Sequence, residues 1–375
     1  MSTRQPSPCV LYVVGARPNF VKTAPVVEAM RQALPQGRHV VVHTGQHYDG
    51  DMSDVFFEEL DAARPDHFLA VGSGSHGSQT GRALERIEAV LEHERPDVVV
   101  VAGDVNSTLA GALAAAKLNI PIAHVESGLR SFDRTMPEEI NRVLVDQVAR
   151  WCFTHSPEAA ENLRHEGVGD ERIFFVGNTM IDTLVRMLPR VAGSRALDRL
   201  ELTEGSYLLV TLHRPTLVDG PLLHDVLAAL EEVARTMPVV FPLHPRTRAR
   251  LGGRSYDALL LTNPLGYVDF LALERSAAGV LTDSGGVQEE TTFLGVPCFT
   301  LRASTERPVT IERGTNVLLG LDPAAIARIP TLLEAPTRVR PLEGWDGHAA
   351  ERLAGVLAAA LTEEASTPHV AVAAR

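Results

Sequence analysis

Several features that define large protein classes are missing from this chain, and each absence removes a class of function. Cys9, Cys152 and Cys298 are its only cysteines. They stand alone, with neither the paired spacing of a zinc site nor a disulfide framework, and they fit a reducing, cytoplasmic setting. No apolar run approaches the roughly 20 residues a membrane helix needs. The first such run, CVLYVVGA (9–16), is followed by Arg17-Pro18 rather than a signal-cleavage pattern, so a buried strand is expected there. No basic stretch offsets a formal net charge of −12, which argues against nonspecific nucleic-acid binding. An anionic ligand would therefore need local cationic pockets. A Walker-type phosphate loop, an HExxH pair, repeats of solenoid period and extended low-complexity segments are all absent.

What is present is an alternation. CVLYVVG (9–15), HVVVHTG (39–45), DVVVVAGD (97–104) and PIAHVESG (121–128) are short Val/Ile-rich runs separated by stretches of helical period. Continuous apolar strands with short connections predict a parallel sheet covered by helices on both faces. A second set begins near residue 206, with SYLLVTLHR, PVVFPLHP, ALLLTNP, AGVLTDSGG and VPCFTLR. At 375 residues there is room for two cores. The expected architecture is two Rossmann-like, doubly wound α/β units joined around residues 177–206 and facing a cleft, closed by a helix over 347–364. Ligands of open parallel sheets collect beyond the carboxyl ends of the strands, so charged residues just past the apolar runs are the candidates.

In GARPNFVK (15–22), Arg17 and Lys22 fall where a helix starts and could both reach an anion, although two solvated cations would read the same way. Asp104 ends one strand and Glu126 the next, so adjacent parallel strands would bring the carboxylates together. Asp104 also suits helix initiation, and Asn106 or Ser107 an N-cap. Neighbouring acids at a strand mouth can have their pKa values driven apart, which suits acid–base chemistry. Residues 124–142 hold four carboxylates and three arginines. Within them MPEEINRVL predicts a helix with Pro137 in its first turn and Glu138 and Arg142 on one face. In the second unit, TLHRP and PLHPRTR put His213 and His244 at strand ends, each followed by arginine. TDSGGVQEETTFLG (282–295) carries the clearest anion signal. A strand stops at Thr282, Ser284, Gly285 and Gly286 let backbone approach a ligand, and a helix is expected from near Val287. Glu289 or Glu290 just inside could reach ribose hydroxyls, and TERP returns Arg307 to the same edge.

GARPNFVK, TGQHYD, AGD with NST, HVESGLRS, MPEEINR, GNTMID, TLHRP, LHP, LTDSGGVQEE, GVP and TERP, in this order from about residue 10 to 320, resemble the non-hydrolysing UDP-N-acetylglucosamine 2-epimerase family. The resemblance implies a glycosyltransferase-B-like pair of domains, one over 1–177 with 347–375 and one over 178–346, with UDP between them and a homodimer. It places Asp104, Glu126, Glu138 and His213 at catalytic positions. It puts Arg17 and Lys22 near the diphosphate with Ser284, Gly285 and Gly286, Arg142 at the motif's arginine, Glu290 at the ribose, and His244 and Arg307 along the same cleft. Asn19, Val105 and Val309 depart from the residues many members carry. GSGSHGSQTG also resembles a branch acting on UDP-diacetamido-uronic acids.

Epimerisation at C2 of an acetamido sugar cannot proceed by simple deprotonation, because that hydrogen is not next to a carbonyl and each unit of pKa mismatch costs roughly 1.4 kcal/mol. The family's route expels UDP from C1 with loss of the C2 proton, giving a 2-acetamidoglucal to which UDP returns after reprotonation. It needs acid–base groups on two faces and cations around the diphosphate, each preorganised donor contributing about 2.7–4 kcal/mol. It requires no nicotinamide, metal or other cofactor. A hydrolysing epimerase, a retaining glycosyltransferase of the same architecture and a non-catalytic nucleotide-sugar sensor are the competing readings.

Overall fold

The computed structural model describes residues 7–15, 17–46, 59, 64–336 and 340–366. The chain forms two compact units, Met1–Thr183 with Glu343–Arg375, and Leu184–Leu342. Their boundaries lie a few residues from the expected 177/178 and 346/347.

Among the described residues, the first unit is built on seven parallel strands in the order β3-β2-β1-β4-β5-β6-β7. These are β1 (Cys9–Val14), β2 (Arg38–His43), β3 (His67–Phe68), β4 (Val98–Ala102), β5 (Ile122–Val125), β6 (Trp151–Thr154) and β7 (Ile173–Phe175). Strands β1, β4, β5 and β6 are buried at every position. Helices cover both faces, so β-branched residues on either side of the pleat find apolar partners. Helices His76–Glu94, Asn106–Lys117 and Pro137–Val148 pack in succession, and the last helix, Ala349–Ser366, returns to pack against Arg17–Ala33. Asp182 tethers the start of that returning helix by accepting from the Ala349 and Ala350 amides at 3.1 and 2.6 Å.

The described residues of the second unit form six parallel strands in the order β10-β9-β8-β11-β12-β13. They are β8 (Leu208–Thr211), β9 (Val239–Pro242), β10 (Leu260–Thr262), β11 (Gly279–Thr282), β12 (Cys298–Thr300) and β13 (Asn316–Leu318). Alternation along a strand sends successive residues to opposite faces. Leu208 and Val210 accordingly join one buried cluster with Phe241, Leu281 and Phe299, while Tyr207 and Leu209 join another with Val240 and Val280.

All nine runs read as strands are strands. The structure adds β3, β6, β7 and β13, which have two to four residues and carry too short a pattern to stand out. The helix expected near Val287 begins at Gly285, so both glycines lie in its first turn. Val105, not Asn106 or Ser107, is the N-cap of Asn106–Lys117, with no side-chain cap. The glycine spacing of GSGSHG (72–77) matches a dinucleotide fingerprint on paper, but β3 ends at Phe68, so no strand leads directly into it. The His47-Tyr48-Asp49 part of the TGQHYD match lies outside the described residues.

Chain order reverses between β1 and β4 in the first sheet and between β8 and β11 in the second. Such switch points open a crevice at the carboxyl edge, where the connections diverge to opposite sides.

Candidate active site

Beside the first switch point, β4 and its outer neighbour β5 run in register with Ala102 beside Val125. The Gly103 amide donates to the Val125 carbonyl at 3.0 Å, which sets Asp104 and Glu126 on neighbouring strand ends as expected. Each carboxylate has its own cation. Glu126 Oε2 pairs with Lys22 Nζ, and both side chains are less than a tenth exposed. Asp104 Oδ2 accepts from Arg142 Nη2 at 2.6 Å and Nε at 3.0 Å. Gly103 leaves room for this crowding: a methyl group on it would lie 3.1 Å from Lys22 Nζ and 3.9 Å from Glu126 Oε2. Glu126 itself has φ of +68°, a left-handed backbone that is costly for a residue with a Cβ. Arg17 opens the Arg17–Ala33 helix, and its side chain lies outside the described ones.

The turn through residues 126–142 is held from beneath by residues that sequence reasoning had not assigned. Pro137 starts its helix as predicted. On that helix Arg142 gives its third donor, Nη1, to Glu139 at 2.7 Å rather than to Glu138. Glu139 is buried and also accepts from the Ser131 amide and hydroxyl and the Phe132 amide at 2.9–3.0 Å. Glu138 is half-buried in the same first turn, where the helix dipole favours a carboxylate. Deeper still, His124 joins Asp146 Oδ1 through Nδ1 at 2.6 Å and contacts the Gly103 carbonyl through Nε2 at 2.8 Å. Arg130 pairs with Asp146 at 2.7 Å and with Glu166 at 2.6 Å. Burial alone would raise the Asp146 carboxyl, but His124 and Arg130 outweigh it and hold it below the ordinary carboxylate range. One chain of contacts thus ties Gly103, at the acidic edge, to a fully buried anion.

The second switch point is organised by Asp283, the first residue beyond β11 and fully buried. Its carboxylate accepts from the amides of His213 and Arg214 at 2.8–3.1 Å, and His213 Nδ1 lies 2.9 Å from Oδ1. Burial pushes this carboxyl up, and the imidazole and two amides reverse that to hold it down. The contact orients the His213 ring, on a side chain 54% exposed. His244 is exposed two residues past β9.

Ser284 is the N-cap of Gly285–Leu294 and makes no side-chain cap bond. The Arg307 guanidinium lies over that helix start, where a methyl on Gly285 would fall 2.3 Å from its Nη1. Arg307 pairs with Glu289 at 3.0 Å and with Glu306, which also holds Arg302 at 2.7 Å. Ser284, Gly285, Gly286 and Arg307 are therefore gathered at one edge with His213. Glu290 is buried and accepts from the Tyr267 hydroxyl at 2.6 Å. Asp283, Glu306 and Arg302 were not singled out from sequence; Asp283 carried a signal, as a charged residue directly beyond an apolar strand, and Arg302 follows β12 by two positions. Among the described residues no three His, Cys, Asp or Glu side chains are grouped to hold a metal ion. None of their helices is long and apolar enough to cross a membrane.

Comparison with known proteins places these features in a family. The model of the family described as UDP-N-acetylglucosamine 2-epimerase matches residues 31–358. A UDP-N-acetylglucosamine 2-epimerase homolog of Methanococcus maripaludis is 46% identical over 321 residues, covering 83% of this chain and 88% of its own. The UDP-2,3-diacetamido-2,3-dideoxy-D-glucuronate 2-epimerase of Pseudomonas aeruginosa is 44% identical over 320 residues, with the same coverage of 83% and 88%. The crystal structure of the Methanocaldococcus jannaschii UDP-GlcNAc 2-epimerase in complex with UDP-GlcNAc and UDP superposes with a TM-score of 0.87 at 40% identity, over 93% of this chain and 99% of that one. With two switch-point edges of this composition and matches of this extent, the chain belongs to the UDP-N-acetylglucosamine 2-epimerase family.

Proposed function

We propose that this protein interconverts UDP-N-acetylglucosamine and UDP-N-acetylmannosamine without hydrolysis. UDP leaves C1 as the C2 proton is removed, and it adds back to the 2-acetamidoglucal after a proton returns to the opposite face of C2. The observation that carries this reading is the pair of cation-backed carboxylates at one switch point, Glu126 with Lys22 and Asp104 with Arg142. Two acids held apart by separate cations suit removal and return of one proton. Asp104, Glu126 and Glu138 are assigned the proton transfers, and His213, steadied by Asp283, is assigned to the departing UDP. Arg17, His244, Arg307 and the Ser284-Gly285-Gly286 helix start are assigned to the diphosphate, joined by Lys22 beside Glu126, with Glu290 at the ribose. Free amides at a helix start favour phosphate oxygens.

Incubation with UDP-N-acetylglucosamine in heavy water, followed by proton NMR, tests it. The expected result is a manno signal with deuterium at C2 and the UDP linkage intact. Free N-acetylmannosamine with UDP would mean hydrolysis, product only on adding an acceptor a glycosyltransferase, and binding without turnover a sensor.

A second substrate is favoured by a specific comparison. The diacetamido-glucuronate epimerase is 44% identical, against 46% for the UDP-N-acetylglucosamine 2-epimerase homolog. Offering both UDP-sugars at equal concentration and comparing kcat/KM decides between them.

Self-association as a homodimer is supported by Ile140, Leu144 and Val148, spaced four apart along Pro137–Val148 and each more than a third exposed, and by Phe132 at 76%. An apolar stripe of this kind is costly to leave in water. Sedimentation should show a dimer in the wild type and a monomer in Leu144→Asp.

A further inference from the structure

Glu274 lies on the Tyr267–Ser276 helix, fully buried, and no donor reaches either of its carboxyl oxygens. The ionisable group that faces it is the carboxyl of Glu290, itself 4% exposed, on the neighbouring Gly285–Leu294 helix. An isolated carboxylate in such surroundings is prohibitively costly, and two together are worse. Carboxyls placed this way keep a proton between them. Glu290 already accepts the Tyr267 hydroxyl at 2.6 Å, so the retained proton belongs on Glu274.

We propose that Glu274 is a positioning residue, a carboxylic acid that donates its proton to Glu290 and so fixes Glu290 as the acceptor for the ribose hydroxyls of a uridine diphosphate. The proposal rests on the assignment of Glu290 to the ribose. Tyr267 and Glu274 sit seven positions apart, two turns along one helix, and both are turned towards Glu290. With Tyr267 and Glu274 both donating to it, Glu290 is held as an acceptor, and a ribose lacking a hydroxyl would forfeit a hydrogen bond to it. Burial first, and then the charge and hydrogen bond of Glu290, raise the Glu274 carboxyl well above the ordinary carboxylate range. The other titratable groups at this place are the Tyr267 hydroxyl on the same helix and the buried Cys298 thiol on β12, which burial pushes up to about 12. As pH rises and Glu274 gives up its proton, two adjacent carboxylates must repel and the ribose contact should weaken.

Calorimetric binding of UDP and of 2′-deoxy-UDP to the full-length protein tests this, with wild type, Glu274→Gln and Glu274→Met compared across neutral and alkaline pH. The wild type should prefer UDP by about tenfold, the effect of one hydrogen bond to a charged acceptor, and should lose that preference as pH rises. Glu274→Gln retains a donor without a titrating proton, so it should keep the preference and hold it at alkaline pH. Glu274→Met, which cannot donate, should lose the preference at every pH. A wild type that binds both nucleotides equally would remove Glu290 from the ribose and the proposal with it. If the wild type discriminates and Glu274→Met does so equally, the ribose assignment stands and the role of Glu274 is overturned. A pH profile of Glu274→Gln identical to that of the wild type would overturn it as well, independently of whether the Met variant folds.

Discussion

Lys22 and Glu126 are 104 positions apart in sequence and meet as an ion pair in which neither side chain is more than a tenth exposed. Lys22 comes from the helix after β1, and Glu126 from the turn after β5, with β4 between those strands. The pair therefore spans the place where the first sheet reverses its chain order. The ammonium gives the carboxylate a partner at a strand mouth where it would otherwise be a lone buried charge.

Glu126→Gln should keep affinity for UDP while kcat falls by at least about 10²-fold, the usual scale of a lost acid–base group. Turnover close to wild type would remove Glu126 from the proton-transfer set. Lys22→Met should destabilise the fold by about 3–5 kcal/mol, because it strands a buried carboxylate, and urea unfolding measures that directly.

Arg142 uses three nitrogens on two carboxylates, two of them on Asp104 Oδ2 and one on Glu139. A lysine has the charge but not the fork. Arg142→Lys should lower kcat/KM by about 10- to 100-fold, the scale seen when a supporting partner of a reactive group is lost. A near-normal value would show that the guanidinium geometry is dispensable.

The adjacent acids Glu138 and Glu139 should separate cleanly. Glu139 accepts from Ser131, Phe132 and Arg142, so Glu139→Gln should reduce unfolding free energy by about 2–3 kcal/mol. Glu138→Gln should leave the urea midpoint nearly unchanged and slow turnover. Reversed behaviour of the two variants would exchange their roles.

Asp283 sets an acid limit for the second unit. Its ordinary value is 3.8 and the folded protein holds it lower, so its stabilising contribution is complete above that value and fades as pH falls through the folded one. Asp283→Asn should unfold more easily at neutral pH by about 1–3 kcal/mol and show a shallower loss of stability on acidification. Asp146, depressed in the same direction, should preserve part of that acid loss. Parallel pH profiles for wild type and variant would contradict the assignment.

The legible part of this molecule was what short-range pattern encodes. Nine apolar runs declare themselves as strands, and three of them lead to residues of chemical interest: Asp104, Glu126 and His213. Pro137 marks its helix start because proline is favoured in a first turn, where its missing N–H costs no hydrogen bond. Pairings were less visible. Glu138 and Arg142 have helical spacing, yet Arg142 chooses Glu139 because the loop amides of Ser131 and Phe132 have already drawn that carboxylate into place. His124 breaks an otherwise apolar strand and Asp146 follows Arg142 by four positions. Nothing local links them, because their contact depends on how the helix after β5 lies back across the sheet. Glu274 was hidden for the same reason. At helical spacing it reads as a solvated charge, and only the packing of two helices reveals it as buried.

The return of the Ala349–Ser366 helix to the first unit imposes an order on biosynthesis. That helix leaves the ribosome after every strand of the second sheet. The contiguous segment Leu184–Leu342 can collapse as one piece, whereas the older half must wait, with the apolar side of Arg17–Ala33 still uncovered and Asp182 lacking the amides of Ala349 and Ala350. The half synthesised first is thus the half completed last.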